Sequence, residues 1–417
     1  MRRALCVWLL GLTAGVAMSA EHRGGPANYR EILPHLRAGD RLLLEPGVYE
    51  RGLPLRNVSG QPGRPIVIEA ADPSAPPRFL ARRGANTVSL VDVRHVTLRH
   101  LELDGRNLPV DAVKAEGHGR YADFVTLEHL HIHDHAATQQ NVGISTKSPA
   151  FGWRVAHNRI ERVGTGMYFG NSDGSDAFVA GVIEGNHVSH TLGYNLQIKH
   201  QRGRTEDHGG PHETVIRHNV FSKADAAPNP QARPNLLLGH LPLQGPGRDD
   251  RYLVYGNVFL HNPSEALLQA EGRVAIYDNV FVNPDGDAIR IQPHNDVPRD
   301  MMIFSNTVLA AGTGIAVRQS SEGAPYRQRL LANVVAATTP ISGGEPAYNV
   351  MLGYRAEWAD APVRDLTVRL LTASAPGGVL PASLVGELGV YPGWQASSRP
   401  GARLVPDRLP SSSGAAP

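Results

Sequence analysis

A group of basic side chains around Lys199 is the feature of this sequence most suited to chemistry. His200, Arg202 and Arg204 follow the lysine directly. Nearby cations lower the pKa of a lysine, and a neutral lysine amine can take a proton from a substrate. Guanidinium groups bind and neutralise carboxylates. The group predicts proton abstraction from an acidic substrate, with Lys199 as the base and an arginine, His200 or Tyr168 as the proton donor.

Four carboxylates near this lysine in the sequence are candidate calcium ligands: Asp173, Asp176, Glu206 and Asp207. Calcium binds carboxylate and carbonyl oxygens. Residues 194–198, directly before Lys199, contain no carboxylate, so the ion would have to be held from the loops. Calcium is therefore a candidate cofactor that the sequence leaves open.

Histidines alternate along one segment, at His129, His131, His133 and His135. Histidines two apart on a strand share a face and can bind zinc. No carboxylate partner is evident from the sequence, so ordinary outward-facing histidines are the preferred interpretation.

A repeated segment supplies the framework for these residues. Its copies span residues 96–103, 125–132, 153–160, 181–188, 214–221, 252–259, 274–281, 302–308 and 329–335. The seven later copies carry asparagine at one equivalent position: Asn158, Asn186, Asn219, Asn257, Asn279, Asn306 and Asn333. Asparagine tolerates the left-handed backbone, and its amide both donates and accepts hydrogen bonds. The pattern predicts one bend per coil, with stacked asparagines, in coils of 22 to 38 residues.

A second series of short segments alternates apolar and polar residues, as a strand does when one side is buried. The predicted inward pairs are Ile144/Thr146, Met167/Phe169, Leu196/Ile198, Leu236/Leu238, Leu267/Gln269, Ile289/Ile291 and Ile315/Val317. Lys199 then points outward between Gly170 and Gly239, which leaves a slot for a flat sugar ring. On this face Tyr168 and Gln197 are predicted to bind the sugar, and the other substrate-binding candidates are Lys147, His240 and Arg290.

These repeats predict an all-β fold, a right-handed single-stranded parallel β-helix, with a short capping helix within residues 27–37. A sandwich of hairpins would need turn signals every 8–12 residues. The predicted organisation is a signal peptide at 1–20, the β-helix at 21–345, and a capping segment with a Pro/Ser-rich tail at 346–417.

The N-terminus is typical of a signal peptide, because two arginines precede an apolar run from Ala4 to about Ala17, and small residues near Ser19 or Ala20 suit cleavage. The one cysteine, Cys6, lies within it, so an exported chain would contain no disulfide. We expect a secreted or periplasmic monomer without a membrane span. A formal charge of +2 gives no indication of nucleic-acid binding, although it does not exclude a basic groove.

With the GDRLLLEPGVY opening at 39–49, the asparagines and the strand series, residues 36–340 resemble the pectate-lyase-like superfamily. The likeness to its chondroitinase B and alginate lyase group is looser. The resemblance implies cleavage of an acidic polysaccharide by a lysine or arginine base, usually with calcium. Residues 171–176 resemble the Asn-x-Asp-Gly strand of the polygalacturonases.

The preferred functional interpretation is an exported polysaccharide lyase that cleaves a uronate-containing polymer by β-elimination. One alternative is a non-catalytic carbohydrate-binding or cell-envelope β-helix. The other is a glycoside hydrolase, which needs two carboxylates about 6.5–9.5 Å apart. The coils that follow residues 171–176 offer Lys199 and Gly239 at the matching positions.

Overall fold

The computed structural model describes residues 19–204, 208–224, 233–318, 326–374 and 379–402. The chain winds into a right-handed β-helix in which every strand of a coil pairs in parallel with the equivalent strand of the next coil. Three sheets run along its length and enclose one apolar core. The predicted fold class is confirmed.

Each coil adds strands to the three sheets in turn. The first sheet contains Glu21–Gly24, Arg41–Leu44, Ile66–Ala70, Val93–Arg99, Ala122–Glu128, Arg154–Ala156, Val182–Glu184, Glu213–Arg217, Arg251–Tyr255, Gly272–Tyr277, Pro298–Phe304, Gln328–Leu331 and Glu345–Ala347, with Ala150–Phe151 and Phe178–Val179 beside it. The second contains Val48–Tyr49, Arg78–Leu80, Glu102–Asp104, His131–His135, Arg159–Val163, His187–Thr191, Val220–Ser222, Val258–Leu260, Val280–Asn283, Thr307–Val317, Val334–Ser342 and Val350–Leu352. The third contains Leu53–Arg56, Val88–Val91, Val113–Ala115, Val142–Thr146, Thr165–Phe169, Leu196–Ile198, Leu236–Leu238, Leu268–Ala270 and Ile289–Ile291. It ends in the later halves of Thr307–Val317 and Val334–Ser342.

A continuous asparagine ladder forms the corner between the first and second sheets. Each side-chain amide donates to the carboxamide oxygen of the next asparagine, as Asn186 does to Asn219 and Asn219 to Asn257, both at 2.9 Å. The ladder runs from Asn158 to Asn333, as predicted. It continues to Asn349, which lies beyond the last predicted copy of the repeat.

The prediction that the asparagines themselves take the left-handed conformation was wrong. That conformation belongs to the residue before each of them, with φ of 56° at His157 and 57° at His218. The preceding residue makes the bend, which leaves the asparagine amide free to bond along the ladder.

One predicted inward pair was also wrong. Leu268 pairs with Leu236, so Leu268 and Ala270 point inward and Gln269 points outward. An inward Gln269 would bury an amide without a partner, whereas the outward amide donates to Glu265 at 2.8 Å. This one-residue shift changes which side chains face the site.

Helices lie at both ends of the described chain. The first turn, Tyr29–Ile32, continues as a 3-10 helix at Leu33–His35 and places the buried Tyr29 ring against Tyr49 and Phe79. This agrees with the predicted cap. Near the C-terminus, helices Val363–Ala373 and Ala382–Leu388 follow a 3-10 turn at Ala356–Trp358. They pack on apolar residues outside the last coils. In the described part of the chain, no helix has the length and apolar character needed to span a membrane.

Candidate active site

Lys199 lies in an outward row of the third sheet, directly after the strand Leu196–Ile198. Phe169 pairs with Ile198 and Ile198 with Leu238, so the neighbours of Lys199 in the row are Gly170 and Gly239. A Cβ at Gly239 would lie 2.2 Å from the His200 backbone nitrogen, so only glycine fits there. The lysine therefore stands between two positions without side chains, as the sequence pattern predicts.

A cleft of about 350 Å³ opens beside Lys199 over the strands Leu196–Ile198, Leu236–Leu238 and Leu268–Ala270. Its floor includes Gln197, Lys199, Leu237 and Gln269. One wall contains Tyr194, Arg233, Pro234 and Glu265, and the other contains His200, Glu271, His294 and Asn295. This size and the mixture of polar and apolar groups suit a sugar ring.

The Lys199 amine makes no hydrogen bond or ion pair within the described residues. Burial lowers the pKa of Lys199, and the nearby Glu271 carboxylate opposes that change. Lowering the pKa increases the fraction of neutral amine at neutral pH, and the neutral amine is the form that can accept a proton.

Tyr194 and Arg233 form the wall on the opposite side from His200. Burial raises the pKa of Tyr194, while Arg233, which hydrogen-bonds to it, acts in the other direction. Tyr194 therefore keeps its proton at neutral pH, and it stands beside a cation that would stabilise its anion. Neither residue was predicted from the sequence, because Tyr194 precedes a strand and Arg233 follows a long insertion.

A buried lysine hydrogen-bonds to the backbone of both segments that form this wall. Lys223 is 3 % exposed and donates to the backbone carbonyls of Gly193 and Arg233, the latter at 2.7 Å. Burial lowers the pKa of Lys223 to about 7. The two hydrogen bonds tie together the segments that carry Tyr194 and Arg233.

His200 forms part of the second wall, and its ring stacks on His240 with centroids 5.3 Å apart. Burial, followed by the charge of Lys199, lowers the pKa of His200, so the ring is neutral at neutral pH. A neutral imidazole donates a proton less readily than an imidazolium, which favours Tyr194 over His200 as the acid.

Glu271 is the buried carboxylate of the site. One of its oxygens accepts backbone N–H groups of His294, Asn295 and Asp296 at 2.8–3.0 Å, and the other accepts that of His240. Glu271 was not predicted, because the one-residue error at Leu268 placed it outside the row.

The predicted arginines lie outside the residues that line the cleft. Arg202 is exposed, while Arg204 forms an ion pair with Asp250 at 2.8 Å. Arg290 bonds Asp287 at 2.8 Å and lies 3.7 Å from Glu265. None of these three guanidinium groups therefore lines the cleft that contains Lys199.

Lys147 and Tyr168 lie one step along the rows from Gly170 and Gln197. The Lys147 ammonium lies 3.5 Å from the centre of the Tyr168 ring. This cation–π contact occupies a face of the ring that the sequence analysis had assigned to the sugar.

Of the four candidate calcium ligands, the two that the structure describes contact other side chains. Asp173 caps the exposed Ser175, and Asp176 bonds His118 Nδ1 at 2.8 Å, while Glu206 and Asp207 lie outside the described residues. Neither Asp173 nor Asp176 lines the cleft, so these two aspartates do not form a calcium site beside Lys199.

Within the described ranges, one group of three metal-binding side chains lies close together: Asp104, His133 and Asp134. Both His133 nitrogens already contact carboxylates, at 2.7 Å and 3.1 Å. Asp104 pairs with Arg78. The group lies on the second sheet, away from Lys199.

Comparisons with known proteins place the fold. No protein-family model matches the sequence, and no curated protein matches it. Among solved structures, a mutant of the PL6 family alginate lyase AlyGC superposes with a TM-score of 0.50 at 13 % identity, covering 78 % of this chain and 51 % of that one. A lacto-N-biosidase of family GH136 from Eubacterium ramulus has a TM-score of 0.47 at 13 % identity, covering 80 % and 68 %. The pectate lyase Pel9A has a TM-score of 0.44 at 14 % identity, covering 81 % of both chains.

The chain thus spans about half the length of the alginate lyase. The likeness agrees with the right-handed parallel β-helix fold described above. At these identities the likeness concerns the fold alone.

Proposed function

We propose that this chain is a polysaccharide lyase that cleaves an acidic polysaccharide by β-elimination, with Lys199 as the base. The observation that carries the proposal is the Lys199 amine. It is half-buried, has no partner in the described structure, and stands at the floor of a sugar-sized cleft between Gly170 and Gly239.

The reaction needs three functions, and the cleft contains a group for each. A cation must bind the uronate carboxylate and so acidify the proton on C5, which is a role for Arg233. A base must remove that proton, which is the role of neutral Lys199. An acid must protonate the departing O4, which is a role for the Tyr194 hydroxyl, whose pKa burial raises.

In the balanced step, Lys199 Nζ takes the C5 proton and becomes an ammonium group. The C5–H electron pair forms the C4=C5 double bond, and the C4–O4 bond breaks. The leaving oxygen takes the phenolic proton of Tyr194. Solvent then returns the proton from Lys199 to the tyrosinate, so no water is added to the sugar.

A substrate panel tests the proposal. The protein is incubated with alginate, pectate and glycosaminoglycans, with and without chelator, and ultraviolet absorbance of the unsaturated product is followed together with reducing ends. Lyase activity gives both signals in parallel. Reducing ends without absorbance would mean hydrolysis, and binding without either signal would mean a carbohydrate-binding protein; both results contradict the proposal.

We further propose that residues 1–20 act as a signal peptide and direct the chain out of the cytoplasm. Polymers of this class occur outside the cytoplasm. Expression with and without this segment tests export. We expect the chain expressed with this segment to lose it and to reach the periplasm or medium. The chain expressed without it should stay in the cytoplasm.

A further inference from the structure

Lys147 belongs to the same outward row as Lys199. Ser145 pairs with Tyr168, so Lys147 is next to Gly170, and Gly170 is next to Lys199. The two lysines are therefore two coils apart, a backbone separation of about 10 Å. Between them Gly170 presents no side chain, and its φ of 86° suits glycine.

The Lys147 side chain leans across this gap. Its ammonium lies over the ring of Tyr168, which belongs to the same coil as Gly170. Lys147 thus reaches out of its own coil onto the next one, which lies between the coils of Lys147 and Lys199. In the row, Lys147 and Lys199 occupy the positions on either side of Gly170.

Neither lysine forms an ion pair in the part of the chain that the structure describes. Lys114 lies on the coil before Lys147 and differs, because it pairs with Asp111 at 3.0 Å. Burial, then the charge of Lys114, lowers the pKa of Lys147 to about 8; Asp111 opposes this change and Lys199 adds to it. An anion beside Lys147 would offset the repulsion between its ammonium and that of Lys114.

We propose that Lys147 forms a second subsite, beside Gly170, which binds the carboxylate or sulfate group of a second acidic sugar in the same polysaccharide chain while Lys199 stays neutral as the base. The proposal rests on the proposed function in taking the ligand to be an acidic polysaccharide. The polymer then lies along the β-helix axis, with the reacting sugar in the cleft at Gly239 and an acidic neighbour at Gly170. Contiguous acidic sugars are preferred over a uronate isolated among neutral ones.

Binding is measured by calorimetry on the Tyr194→Phe variant, which keeps every lysine. The probes are a tetrasaccharide of uronates, its carboxyl-reduced neutral form, and a sulfated neutral tetrasaccharide. Lys147→Met in this background is expected to raise the Kd for the uronate probe about tenfold and to leave the neutral probe unchanged. Lys147→Arg keeps the charge and should keep most of the affinity.

Lys114→Met is the matched control, because it removes the same charge from the same face where that charge is already paired. It should change the Kd less than about twofold. Equal losses for Lys114→Met and Lys147→Met, or no loss for Lys147→Met, would overturn the subsite. Tight binding of the sulfated probe that depends on Lys147 would identify sulfate as a ligand, and its absence would identify carboxylate.

The two proposals fail separately. If no polymer is cleaved but Lys147 still selects acidic probes, the lyase assignment fails and the anion subsite stands. If cleavage depends on Lys199 and Lys147→Met changes neither Kd nor KM, the subsite fails and the lyase assignment stands.

Discussion

Lys199 and Glu271 lie two coils apart in one outward row, separated by Gly239, which has no side chain. The row therefore offers an ammonium and a carboxylate on the two sides of one sugar-sized gap. The Glu271 carboxylate counteracts the effect of burial on the pKa of Lys199. It also accepts hydrogen bonds from the backbone of residues 294–296. One side chain therefore orders a wall of the cleft and raises the pKa of Lys199.

Replacing Glu271 by Gln should shift the acidic limb of the pH–rate profile to lower pH. The carboxylate raises the pKa of Lys199, so its loss lowers that pKa further, and more amine is neutral at a given pH. The profile of kcat/KM measures the shift. Glu265→Gln is the control, because Glu265 lines the same cleft but does not contribute to the Lys199 pKa. Equal shifts in both variants would contradict this account.

The unmodified protein should show a bell-shaped dependence of kcat/KM on pH. Activity rises as Lys199 loses its proton, at a pH below the ordinary lysine value because burial lowers its pKa. Activity falls again when Tyr194 ionises, above the ordinary tyrosine value because burial raises its pKa. A profile that declines steadily from acidic pH would be inconsistent with an amine base.

Lys199→Met should reduce kcat by a factor of about 10³ or more, because no other group in the described cleft replaces the base. The melting temperature should stay nearly constant, since an outward lysine without partners contributes little to stability. Thermal unfolding followed by circular dichroism checks the fold. Activity that survives this substitution would assign the base elsewhere.

Tyr194→Phe should lower kcat by a factor of about 10² while KM changes little, because the hydroxyl acts on the leaving oxygen. The alkaline limb of the pH profile should disappear with the phenol. A substrate with a good leaving group, which needs no acid, should regain most of the lost rate. If KM rises and kcat is constant, Tyr194 binds the sugar and does not donate a proton.

Asn219→Ala should lower the free energy of unfolding by about 3 kcal/mol, because it leaves buried donors and acceptors on both sides of the ladder without hydrogen-bond partners. Asn219 donates to Ile183 and Asn257 and accepts from Asn186. The control is Asn349→Ala at the half-exposed end of the ladder, for which we expect about 1 kcal/mol. Urea unfolding measures both, and equal losses would argue against a cooperative ladder.

Much of this fold was predictable because each coil repeats the same local requirement. A buried strand needs alternating apolar residues, and a buried corner needs a side chain that donates and accepts hydrogen bonds. These requirements appear in the sequence as Asn219 and its equivalents. The position of Lys199 followed, because a regular strand fixes which residues point outward.

The adjacent leucines at Leu267 and Leu268 show where local patterns fail. Either one satisfies an alternating pattern, and the choice depends on whether Gln269 finds a partner. It finds Glu265 only when it points outward. The wrong choice removed Glu271 from the predicted site.

The sequence alone determined the coil, its corner and the outward direction of Lys199, because these depend on residues close together in the chain. Only the tertiary structure decided that Tyr194, Arg233 and Glu271 surround this lysine while Arg204 pairs with Asp250. Contacts between coils depend on how insertions of unequal length fold over the strands. No periodicity in the sequence records that information.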